Sequence, residues 1–323
     1  MSLMNIGDIT VRSVVDGYLT FPAEEAYPAP GSPDYDAHRD SLQPDGRRRM
    51  TLGAFLIRLP SDPDRLILVD AGSGPSTGQV IRPQPCDCPA HAHPAIKAYH
   101  DANHMDEGAR QGHLDWLNQT ETCHGFLLDS LAAQGVSPEQ ITDVVLSHLH
   151  FDHIGWVSRD GAPTFPNATI RVPEKDLQHF LLPEQAVHDA LYEAAWDVMP
   201  TAQRLAPIMD RIETWDGDVT LMPGFDAIAT PGHTPGHAIF VLSSNEKRGM
   251  LLGDVVHCPL QLTDPDFSVM ADIDQALADR QRERVYRELI GDEELAVAGA
   301  HFPDLRFGRI LQGKGRSGWT FVN

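Results

Sequence analysis

The chain has 323 residues, a 41% hydrophobic share and 25 Lys and Arg against 46 Asp and Glu, a formal net charge of −21. That share supports a sizeable core and excludes a disordered chain; the acidic field repels phosphates and anionic headgroups, so neither nucleic acid nor a membrane is expected as partner. No apolar run approaches the ~20 residues that span a bilayer, no signal peptide is visible, and Cys86, Cys88, Cys123 and Cys258 are too few for a disulfide scaffold, so a cytoplasmic protein is expected.

In chain order, Ile9–Val15 and Ala54–Leu59 read as strands. The Pro-rich stretch from Pro22 to Pro44 separates them, and residues 22–50 are expected as a long loop insertion with Arg47, Arg48 and Arg49 in a solvated turn. Leu66–Val69 is a buried strand entering the turn Asp70-Ala71-Gly72-Ser73-Gly74. Residues 74–122 form a second long insertion rich in Cys and His. Its Cys86-Asp87-Cys88 with His91 and His93 lacks a familiar zinc-finger spacing, so it is read as a lid or a homodimer contact rather than a further zinc site.

Gly125–Gln134 reads as a helix stopped by Gly135, and Ser137-Pro138-Glu139-Gln140 as a capping box. Val144–Leu146 and Thr169–Val172 are strands, and residues 173–210 a helical capping segment whose Trp196, Met199 and Met209 are candidate pocket walls. Strands then recur at Val219–Met222, Ala227–Thr230, Ala238–Leu242 and Met250–Gly253, followed by the helix Ile273–Ile290 and the strand Leu295–Ala298. Strands and helices alternate without a linker, which predicts one α/β domain over 1–323.

The chemistry gathers at strand ends. His148, His150, Asp152 and His153 follow a buried strand within six residues, a density of N and O donors that suits a divalent metal. His233 lies in the Gly/Pro-rich turn Thr230–His237, Asp254 ends the run Met250-Leu251-Leu252-Gly253, and His301 follows Leu295–Ala298. Singly, each of these three would be read as structural; their shared placement makes them candidates.

In this order, Asp70, the His148–His153 run, His233, Asp254 and His301 resemble the five motifs of the metallo-β-lactamase superfamily across roughly residues 50–305. The resemblance implies an αββα sandwich with a dinuclear metal site at the edge between its sheets. It assigns His148, His150 and His233 to one metal and Asp152, His153 and His301 to the other, with Asp254 bridging. Asp70 would orient ligands through hydrogen bonds. Zinc is the expected metal, with Mn, Fe and Co also compatible.

Within the superfamily the sequence is most similar to the methyl parathion hydrolase-like and N-acyl-homoserine lactonase-like branches. Lactonases of that kind place a Tyr three residues after the bridging Asp; here His257 stands there. The expected function is hydrolysis of small lactones or other carboxylic esters by a metal-bridging hydroxide. Asp152 or His257 would pass a proton to the leaving group. Phosphotriester hydrolysis is the alternative, and a metal-binding sensor or adaptor without turnover the alternative of another class.

Overall fold

The computed structural model describes residues 2–22, 42–76, 78–81, 94–196, 198–263, 271–313 and 317–322. Two sheets dominate. The first is eight-stranded: Leu3–Ile6, Ile9–Pro22, Arg47–Leu59, Asp62–Val69, Asp143–Val145, Thr169–Pro173 and Ile212–Trp215 lie side by side, and Glu121–Cys123 pairs with Ile9–Pro22. The second is seven-stranded, in the order Val219–Met222, Phe225–Ala229, Ala238–Ser244, Lys247–Leu251, Ala296–Ala298, Gly308–Leu311 and Gly318–Phe321.

The side-chain alternation of a strand explains why these segments read as unbroken apolar runs. Phe55, Ile57, Ile67 and Val69 share one buried cluster with Phe225, Phe240, Leu242 and Leu251, which is the core between the sheets. Their neighbours Ala54, Leu56, Leu66 and Leu68 face outward, onto Leu127, Leu131, Ile154 and Phe180. On the second sheet, Ile239 and Val241 face outward against Val285 and Leu289 of the helix Gln275–Gly291. Helices thus cover both outer faces, giving the expected αββα sandwich.

Several expectations need correction. Arg47, Arg48 and Arg49 begin the strand Arg47–Leu59 rather than a turn, and Arg48 is buried at 5% exposure. Between residues 74 and 122 the chain carries two helices, Pro94–Ala102 and Glu107–Gln119, where a loop was expected. Asp106 caps the second by accepting from the Ala109 N–H at 2.9 Å. Cys86, Cys88, His91 and His93 lie outside the described residues.

Trp196 is core instead of pocket wall: it is 2% exposed and packs between Trp116, at 5.6 Å, and Phe151, at 6.2 Å. Met199 and Met209 are exposed. The strands Ile212–Trp215, Gly308–Leu311 and Gly318–Phe321 were not anticipated. Among the described residues no helix is long and apolar enough to cross a membrane.

Candidate metal centre

Sheet topology brings the candidate residues together. Asp62–Val69, Asp143–Val145 and Thr169–Pro173 run parallel, and so do Lys247–Leu251 and Ala296–Ala298. Their C-terminal ends therefore open toward one edge of the sandwich. Asp70 follows the first strand, His148 the second, Asp254 the fourth and His301 the fifth. The turn after Phe225–Ala229 brings His233 to the same edge.

All seven expected donors converge. The donor atoms of His148, His150, His233 and Asp254 lie within 4.8 Å of one another, as do those of Asp152, His153 and His301. Asp254 joins the two groups: its Oδ2 is 3.4 Å from His233 Nε2, 3.4 Å from His153 Nε2 and 3.0 Å from His301 Nε2. His257 belongs here too, with Nε2 3.1 Å from the same oxygen and its ring stacked on His301.

The donor set fits cations. Asp254 Oδ1 is buried with no hydrogen-bond partner among the described residues, a costly state for a carboxylate oxygen unless a cation meets it. His148 Nε2 and His233 Nε2 approach His150 Nδ1 to 3.0 and 2.9 Å, three ring nitrogens aimed at one point. Burial holds His148, His150 and His233 well below the usual histidine range, so they present neutral lone pairs, the form a metal requires. Burial also acts against protonation of His153 and His301, yet the neighbouring carboxylates, Asp254 foremost, push both upward. Asp254 is likewise penalised by burial, but His301, His153 and His257 keep it well below the ordinary carboxylate range.

His148, His153, His233 and His301 are each held from behind. His301 Nδ1 donates to the Thr51 carbonyl at 2.9 Å, leaving Nε2 as the lone pair. Asp70 accepts from His153 Nδ1 at 3.0 Å, from the Ser147 N–H at 2.8 Å and from the Ser147 hydroxyl at 3.0 Å. It does so from a left-handed backbone conformation, φ 61°, uncommon for a residue other than glycine. His148 Nδ1 lies 3.0 Å from the Ser147 hydroxyl, so Asp70 reaches one ring of each donor group. Asp70→Ala is expected to weaken metal affinity by about 10–100-fold with the fold kept. Competition against a chelator checks this; unchanged affinity refutes the role.

Sequence reasoning missed several supports, Asp272, Asp176 and His237 among them. Asp272 accepts from His233 Nδ1 at 2.9 Å. Asp176, fully buried, accepts from the Leu149 N–H, the Thr234 hydroxyl and the Gly236 N–H, tying the His148–His153 run to the His233 turn. Burial raises its carboxyl to about 6. His237 takes the Asp254 N–H on Nε2 at 2.8 Å and lies 2.8 Å from the Thr230 hydroxyl through Nδ1. Gly253, φ 50°, makes room for this: a Cβ there would stand 2.6 Å from His237 Nε2. Of the three, only His237 had a sequence signal, its place in the turn that carries His233.

A two-sheet sandwich with paired His/Asp donor groups at one edge defines a class of metal-dependent hydrolase folds. The family model for the metallo-β-lactamase superfamily matches residues 54–301, and the chain belongs to that superfamily. N-acyl homoserine lactonase AttM of Agrobacterium fabrum is 32% identical over 126 residues, 39% of this chain and 44% of that protein. An N-acyl homoserine lactonase of a Bacillus species is 30% identical over 126 residues, 39% of this chain and 42% of that protein. The chain thus matches under half the length of these relatives.

Whole-chain likeness appears in solved structures. AidC, a dizinc quorum-quenching lactonase in complex with a product, N-hexanoyl-L-homoserine, superposes with a TM-score of 0.72 at 23% identity, covering 100% of this chain and 98% of that one. The hydrolase AbOPH gives a TM-score of 0.71 at 23% identity, covering 99% and 96%. At these identities the likeness is one of fold.

Proposed function

We propose that the chain is a dinuclear metal-dependent hydrolase that opens small lactones or other carboxylic esters. The observation that carries this reading is Asp254: one buried carboxylate faces both donor groups, with a second oxygen that has no hydrogen-bond partner among the described residues. His148, His150 and His233 would hold one ion, and Asp152, His153 and His301 the other, with Asp254 between. Ions held there would supply Lewis acidity, bringing the pKa of bound water down toward neutrality and polarising the carbonyl of an ester.

The chain's own residues do the rest. Asp70 and Thr51 fix the ring orientations from behind. Asp152, 9% exposed and a member of the second group, would carry a proton to the leaving alkoxide. The lactonase relatives support lactones as the substrate class, and no observation favours the phosphotriester reading over it.

Reconstituted protein should hold close to two divalent ions per chain by elemental analysis, zinc by preference. Against a panel of lactones, aryl esters, thioesters and phosphotriesters, lactones should be turned over most efficiently. Fewer than two ions overturns the dinuclear reading. Two ions with no turnover of any ester favours a metal-binding sensor, and phosphotriesters ranking first overturns the lactone assignment.

A further inference from the structure

The helix Gln275–Gly291 buries Ala278, Arg282, Val285 and Leu289, an i, i+4, i+7, i+11 stripe that faces the second sheet. Three of these are the apolar residues such a stripe demands. The fourth, Arg282, is 6% exposed, and a guanidinium is costly to bury unless its N–H groups are met. All three of its nitrogens have partners. Nε donates to the Val255 carbonyl at 3.0 Å, Nη2 to Asp272 Oδ2 at 2.9 Å, and Nη1 to Asp279 Oδ1 at 2.5 Å.

Two of those partners belong to the metal centre. Asp272, whose side chain is fully buried, uses its other oxygen to accept from His233 Nδ1 at 2.9 Å. That bond leaves His233 Nε2 as the lone pair aimed at His150 and Asp254. Val255 follows Asp254 directly and lies two residues before His257. One rigid planar fork therefore touches both the support of His233 and the backbone of the Asp254–His257 loop. The helix start is joined to the same turn, since Ile273 N–H donates to His233 O and Asp274 N–H to Gly232 O.

We propose that Arg282 is a positioning residue of the metal centre, tying His233, through Asp272, to the Asp254–His257 loop, through the Val255 carbonyl. This rests on the reading that the His/Asp cluster holds two ions. Arg282 touches no reacting atom; it acts by fixing where the donors stand, and so sets how tightly the ions are held. A lysine ammonium is a point charge and reaches one of these partners rather than both.

The test is stepwise titration of chelator-stripped protein with Zn²⁺, and with Co²⁺ for its absorption spectrum, alongside thermal melting. Asp272→Asn is expected to weaken the ion of the His148, His150, His233 group by about 10–100-fold and spare the other. Arg282→Met is expected to weaken both ions, because it also releases the Asp254 loop, and to shift the Co²⁺ spectrum. A double-mutant cycle between Arg282 and Asp272 should give non-additive losses for the first ion. If Arg282→Met does not fold, Arg282→Lys carries the test, with an intermediate loss expected. A folded Arg282 variant that binds both ions with wild-type affinity and spectrum overturns the proposal. Wild-type protein that itself binds fewer than two ions overturns instead the metal reading beneath it.

Discussion

Asp254→Ala is expected to abolish turnover and to remove at least one of two bound ions. Among the described residues no other side chain faces so many donors: its Oδ2 stands within 3.8 Å of ring nitrogens from His148, His153, His233, His257 and His301. Without that carboxylate, two cations held a few ångströms apart repel each other with nothing between them to offset it. The imidazoles lose their orienting partner as well. Burial alone disfavours protonated His153 and His301, and Asp254 is the largest of the opposing influences on each. The loss in kcat should exceed the about 10²–10³ that removal of a single preorganised donor costs. Asp254→Asn, which keeps the shape and gives up the charge, should also lose metal. Near-normal turnover with two ions bound in either variant would remove Asp254 from its bridging place.

The donors were legible in sequence because each follows a short buried strand, where a rigid run of apolar side chains ends and polar ones begin. Val144 and Val145 before His148, and Val297 and Ala298 before His301, carry that signal directly. Of their supports, Asp70 was legible through the motif order, but Asp272 and Asp176 were not. Asp272 acts on His233 from 39 positions away and Asp176 on Gly236 from 60, so nothing local marks either of them. Asp176 in the first turn of a short helix is sufficiently explained by the helix dipole alone. Arg282 did leave a trace, a charge at an apolar-stripe position, but the stripe becomes visible only once the helix is placed against its sheet. The strand Gly308–Leu311 and the edge strand Gly318–Phe321 pair with each other and owe their form to that pairing more than to any alternation of their own. The capping residue Asp106 stood in plain view before Glu107–Gln119; the density of Cys and His around it masked the helix.

His257→Ala is expected to lower kcat by about 10²–10³ while both ions stay bound. The residue is 3% exposed and wedged among ligand candidates: its ring stacks on His301 at 5.5 Å and meets His233 edge-on at 4.9 Å. Nε2 stands 3.1 Å from Asp254 Oδ2, while Nδ1 is buried with no hydrogen-bond partner among the described residues. A merely structural histidine at a strand end would bond the backbone through its ring. Here the backbone is satisfied separately, the His257 N–H donating to Gln261 Oε1 at 2.7 Å. Nδ1 would therefore be available to hydrogen-bond a substrate oxygen or the departing alkoxide. His257→Tyr should raise the preference for lactones over phosphotriesters, because a phenol restores one neutral donor in the lactonase form. Three measurements on folded, metal-loaded variants separate the roles: metal content, kcat and the ranking of substrates. Loss of an ion in His257→Ala would make His257 a ligand, a role its approach to Asp254 and His301 also permits. Unchanged kcat and ranking with both ions present would leave it as packing.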